Sequence, residues 1–180
     1  MSTITTTDTP PTDMDLPTGS GHTLSVLVNN EPGVLMRICQ VFSRRAFNID
    51  SLVVSQGRSR CFSRMTIGIT GDPAGLDQII KQVGKLIDVI HCFEHTSDNS
   101  VSKELMMIKL KCSPDDRSQA LQICEHFAGK TIDLTPVSMI VMITGDTIKI
   151  DAALTMFSQF EIIETVRTGK VVMARGELAT

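Results

Sequence analysis

The stretch Leu24–Phe42, LSVLVNNEPGVLMRICQVF, constrains the fold more than any other part of the chain. Leu24, Val26 and Val28 alternate with Ser25, Leu27 and Asn29, which is the two-residue period of a strand. Beyond Asn30-Glu31-Pro32-Gly33 the spacing turns helical, with Val34, Leu35, Ile38, Val41 and Phe42 recurring on one side. A strand that becomes a helix across so short a turn leaves free backbone N–H groups at the helix N-terminus. Those groups and the positive end of the helix dipole suit a carboxylate.

The same alternation continues and then repeats. The first strand is expected over His22–Asn29 and the first helix over Val34–Arg45. A second strand, Ile49–Gln56, follows Phe47-Asn48, and a third, Cys61–Ile69, follows the turn Gly57-Arg58-Ser59-Arg60. Gly71-Asp72-Pro73 opens a second helix whose apolar set is Leu76, Ile79, Ile80, Val83, Leu86 and Ile87. Asp88–His95 reads as a fourth strand with Val89, His91, Phe93 and His95 on one face. After the polar break Thr96–Ser100 comes a strand at Leu105–Lys111. Ser113-Pro114-Asp115 then caps a helix that turns Ala120, Leu121, Cys124, Phe127 and Ala128 inward. Strands at Lys130–Thr135 and Ser138–Thr144, a helix at Asp146–Phe157, a strand at Glu161–Thr168 and a short segment Lys170–Arg175 complete the chain.

The expected fold class is therefore α+β: two ferredoxin-like βαββαβ sandwiches in tandem, spanning residues 22–97 and 98–180. Residues 1–21 hold seven Thr, three Pro and few apolar side chains, so a disordered tail is expected there. Sandwiches of this size cover one sheet face with helices and leave the other open. Leu27 and Leu52 fall on the side expected to be open, and an apolar face or an unpaired edge strand invites association. A homodimer, with sheets side by side or stacked, is the expectation.

Charge narrows the partners. The net −3 comes from Asp8, Asp13 and Asp15 in the tail, and the remainder is formally neutral. A neutral body has no electrostatic footprint for nucleic acid, and no basic amphipathic face or long apolar run suggests a membrane. Five cysteines, Cys39, Cys61, Cys92, Cys112 and Cys124, are widely spaced without a CxxC pair. They read as reduced thiols of a cytoplasmic protein.

Catalytic signatures are missing: no GxSxG, GxxxxGK[ST] or GxGxxG occurs. His91 and His95 share a strand face but lie about 13 Å apart along it, too far for joint ligation without Cys92, Cys124 or His126. A metal-responsive regulator is the weaker alternative, and the ten Met read as core filler. On local grounds Asn30-Glu31-Pro32-Gly33 reads more readily as an ordinary turn that needs no ligand. What favours a ligand is that Asn30 and Asn48 are expected at opposite ends of one chain, where they can meet across a dimer axis.

Several motifs in order resemble one family. They are Leu24–Leu35 with Arg37; FSRRAFNIDSL over residues 42–52; Ser63-Arg64-Met65-Thr66-Ile67; and Lys85-Leu86-Ile87-Asp88-Val89. Further on come KELMMIK over residues 103–109, Ile132-Asp133-Leu134-Thr135-Pro136, Lys149-Ile150-Asp151-Ala152 and IIETVRTGKVVMARG over residues 162–176. Together these resemble the regulatory small subunit of acetolactate synthase, also called acetohydroxyacid synthase. The resemblance implies that the first half is an ACT domain and that the chain has no catalysis of its own. It implies a catalytic large subunit as partner, which would carry thiamine diphosphate, Mg and FAD, none of them held by this chain. It also implies feedback inhibition by valine or another branched-chain amino acid bound between the ACT domains of a dimer. The implied effector-binding residues are Asn30, Gly33, Val34, Leu35, Met36, Asn48 and Ile49. Met36 departs from the pattern, since many relatives carry a small residue there. A free-standing ACT-type amino-acid sensor for some other partner is the alternative reading.

Overall fold

A computed structural model describes residues 21–57, 59–177 and 180. The expected tail, residues 1–21, lies outside the described residues except for Gly21, which opens the first strand.

The first half runs β1 (Gly21–Asn29), α1 (Val34–Arg44), β2 (Asn48–Gln56), β3 (Phe62–Thr70), α2 (Pro73–Val83) and β4 (Val89–His95). Its antiparallel sheet has the order β2-β3-β1-β4. Leu24, Val26 and Val28 of β1 meet Ile67 and Met65 of β3 on one sheet face, and Val34, Ile38, Phe42, Leu76, Ile79 and Val83 of the helices close over them. The second half repeats the plan: β5 (Ser100–Lys111), α3 (Pro114–His126), β6 (Lys130–Leu134), β7 (Ser138–Gly145), α4 (Thr147–Phe157) and β8 (Ile162–Arg167). The order is β6-β7-β5-β8, and β9 (Val171–Ala174) pairs with the start of β5. Met106, Ile108, Leu110, Val141, Ile143, Ile150 and Phe157 form its separate core.

Two bulges overturn local expectations. Between Ile49 and Ser51 the β2–β3 register slips by one residue, so Leu52 opposes Ile67 and packs on the core instead of the open face. Between Leu27 and Val28 the β1–β4 register slips, leaving Ile90 unpaired. Val89 consequently turns inward to the core, while His91, Phe93 and His95 stay on the open face. Each slip reverses the facing of the residues beyond it, because side chains alternate strictly along a strand.

Helix ends account for other differences. α2 stops at Val83, where Gly84 bonds back to the Ile80 carbonyl, and Ile87 stands 93% exposed in the turn beyond. α3 stops before Ala128, whose φ of 49° lies in the left-handed region, so Ala128 is exposed and Ile123 fills the core position. β5 begins five residues earlier than expected, because Ser100–Lys103 pair with β9 in a two-stranded ribbon reaching toward the first sheet.

Candidate effector site

The turn from β1 into α1 is built around Gly33. Its φ of 85° is one that a side chain rarely tolerates, and a Cβ there would sit 3.2 Å from an Arg37 guanidinium nitrogen. No side chain caps α1, and its first turn carries no acid. The Val34 N–H reaches the Glu31 carbonyl at 3.4 Å and the Arg37 N–H reaches that of Gly33 at 3.1 Å. Among the described residues the N–H groups of Gly33, Leu35 and Met36 find no acceptor. This helix start therefore presents uncompensated donors to solvent. Val34 plugs the core, whereas Leu35 (37%) and Met36 (64%) are exposed beside those donors.

Arg37 lies one turn along α1, with its charge matched by a carboxylate. Its guanidinium meets the Asp88 carboxylate at 2.6 and 2.7 Å, and the Asp88 carbonyl accepts from the Asn29 N–H at 2.8 Å. Asn30 holds the neighbouring turn in place. Its Nδ2 donates to the Arg60 carbonyl at 3.0 Å, its Oδ1 accepts from Ser63 Oγ at 2.9 Å, and its backbone N–H reaches the Cys61 carbonyl at 2.8 Å.

Asn48 and Ile49 lie elsewhere. Asn48 opposes Thr70, which also opposes Gly21, so it sits at the start of β1; Asn30 follows the last residue of β1. The two asparagines are separated by about the length of that strand, roughly 26 Å. Ile49 is half-buried against the core, while Asn48 is exposed and its Nδ2 donates to Asp50 Oδ1 at 2.5 Å. One chain thus brings Asn30, Gly33, Val34, Leu35 and Met36 together and leaves Asn48 and Ile49 apart, with β2 at the sheet edge.

Next to Asn48 is a cavity of about 640 Å³ between the two halves, bordered by Asp50, Ser51, Glu104, Arg167, Gly169 and Lys170. Glu104, only 5% exposed, accepts from Thr147 Oγ1 and from Arg167 at 2.8 Å, and Arg167 also reaches Asp151 at 2.8 Å. Burial disfavours the Arg167 cation, but these two carboxylates outweigh it and raise its pKa. Gly169, with φ of 78°, packs so tightly on β2 that a Cβ would fall 2.5 Å from the Ser51 Cβ. No spacing rule pointed to this network, since its members come from distant segments. Arg37 was legible as the residue four positions after Gly33.

Two further groups are shifted by burial. Burial pushes the Cys92 thiol up to about 12. Burial, followed by the charge of Arg64, lowers the pKa of His95, with Asn99 opposing in part. Among the described residues no three His, Cys, Asp or Glu side chains gather to hold a metal, and no helix is long and apolar enough to cross a membrane.

Known proteins share both halves of this architecture. The family described as the AHAS small subunit-like ACT domain matches residues 24–91, and the small subunit of acetolactate synthase matches residues 103–176. The acetolactate synthase small subunit of Mycobacterium leprae is 44% identical over 155 residues, which is 86% of this chain and 92% of that protein. That of Mycolicibacterium smegmatis is 41% identical over 86% of this chain and 91% of its own length. The crystal structure of the small subunit from Thermotoga maritima superposes with a TM-score of 0.79 at 34% identity, covering 88% of this chain and 99% of that one. With both halves matched in order over nearly its whole described length, the chain belongs to the acetolactate synthase small-subunit family, and its first half is an ACT domain.

Proposed function

We propose that this chain is a non-catalytic regulatory subunit. It activates the catalytic large subunit of acetolactate synthase and makes it sensitive to valine or another branched-chain amino acid. Family membership supports the large-subunit partner. The observation that carries the effector site is the donor-rich start of α1 at Gly33, combined with the placement of β2 at the sheet edge. Antiparallel pairing of two β2 strands about Leu52, the middle of Asn48–Gln56, sets Asn48 of a second copy against Gln56. Gln56 opposes Ser63, which bonds Asn30, so that pairing brings Asn48 to the Gly33 end. The homodimer thereby completes the site.

In that site the amides around Gly33 take the effector carboxylate. Asn48 of the second copy takes the ammonium group, and Leu35, Met36 and Ile49 border the aliphatic side chain. A pocket of this kind separates branched side chains by only about 1–3 kcal/mol per methylene, so valine, leucine and isoleucine compete for it. Inhibition follows if the effector favours one dimer arrangement over another. The thiamine diphosphate, Mg and FAD chemistry is assigned to the large subunit, and the complex to the cytoplasm.

The test is to mix the purified chain with its large subunit and follow acetolactate formation while titrating valine, with the dimer state monitored in parallel. Stimulation that valine reverses is expected. An unchanged rate at saturating chain would instead favour a free-standing sensor.

A further inference from the structure

We infer that Asp50 is the positioning residue that aims Asn48 at the ammonium group of the effector; the inference rests on the effector site proposed above. Asp50 is the extra residue of the β2 bulge. Ile49 opposes Ile69 and Ser51 opposes Gly68, so Asp50 has no cross-strand partner of its own. Its carboxylate turns back toward the strand start. One oxygen accepts from Asn48 Nδ2 at 2.5 Å and the other from Thr70 Oγ1 at 2.5 Å. Thr70 is itself the cross-strand partner of Asn48, so the two side-chain bonds and the strand pairing together close a ring at this end of the sheet.

The chemistry of that ring is directional. A carboxylate accepts hydrogen bonds and donates none, so it selects the NH₂ side of the Asn48 amide. The Asn48 carbonyl oxygen is then turned away from Asp50, and among the described residues no donor reaches it. An exposed carbonyl oxygen on an amide polarised by a neighbouring negative charge suits a cationic donor. Asn30 has the opposite character, because it commits both ends of its amide to Arg60 and Ser63. The ammonium acceptor is accordingly Asn48, and Asn30 shapes the loop. The bulge leaves residue 50 with no partner on β3, and its carboxylate is shared between Asn48 and Thr70.

A double-mutant cycle tests the assignment. L-Valine is titrated calorimetrically into the full chain and into the Asn48→Ala, Asp50→Ala and combined variants. Each single change should weaken binding about tenfold, and the combined variant should be no weaker than Asn48→Ala alone. Losses that multiply, or an Asp50→Ala chain with unchanged affinity, overturn the inference. Thr70→Val removes one bond of the ring and should cost about threefold, again only while Asn48 is present; it serves if Asp50→Ala does not fold. A wild-type chain that fails to bind valine removes the effector site altogether. Valine binding with multiplicative losses removes only the role of Asp50.

Discussion

The two halves share one topology and differ at equivalent helix starts. In the ACT half α1 begins at a left-handed glycine, with no capping side chain and no acid in its first turn. In the second half α3 begins at Ser113, whose hydroxyl accepts from the Asp116 N–H at 3.2 Å, with Asp115 and Asp116 set against the helix dipole. The second strand of each unit differs as well: β2 begins with Asn48 and Asp50 in a ring with Thr70, whereas β6 begins with the exposed Lys130. A helix start satisfied by its own side chains has no use for an outside anion, whereas an unsatisfied one does. Duplicating a fold therefore does not duplicate its helix starts; capping chemistry distinguishes the one that leaves donors free from the one that satisfies its own.

That contrast can be broken from either side. The largest effect is expected for Gly33→Asp, which gives α1 an acid like those of α3. Two like charges about 4 Å apart repel by several kcal/mol at an intermediate dielectric, so valine affinity should fall a hundredfold or more in calorimetry. Large-subunit binding should survive. An unchanged affinity would mean that the anion site lies elsewhere.

Gly169→Ala comes next and addresses the junction between the halves. A left-handed alanine costs roughly 1–2 kcal/mol, and its methyl group would meet Ser51 as well. Urea denaturation should show a loss of about 2 kcal/mol, whereas a neutral outcome would show that the Gly169 contact with β2 is loose. Ser113→Ala removes the cap of α3 and should cost about 1 kcal/mol of stability. Valine affinity should not move, and if it did, the second half would share in the effector site.

The smallest effect concerns pH. His95 has its pKa lowered in the folded chain, so the folded state prefers the neutral ring. Above the usual histidine value both states are neutral and the stabilising contribution is complete. As pH falls through that value the unfolded chain takes up the proton first, and stability is lost down to the folded pKa. The melting temperature of the wild type should therefore drop more between about pH 7.5 and 5 than that of His95→Gln.

Much of the fold was legible in the sequence. Period-two and helical spacings located both sandwiches, and Asn30-Glu31-Pro32-Gly33 marked the helix start because Pro and Gly have narrow backbone roles. The bulges at Asp50 and Ile90 were not legible, since nothing local to Asp50 says that β3 will accept an extra residue opposite it. Placing Leu52 on the open face and Val89 beside His91 failed for that one reason. Ile87 continued a helical spacing past a glycine that ends the helix, which shows that periodicity outlasts the hydrogen bonds it stands for.

The sequence by itself determined the two-unit plan, the family and the loop that starts α1, because those depend on residues close together in the chain. Only the tertiary structure decided that Asp50 is free to hold Asn48, that Arg37 reaches Asp88 and that Glu104, Arg167 and Asp151 line a cavity beside β2. Those arrangements depend on strand register and on contacts between distant segments, and a one-residue slip in register changes which side chains meet.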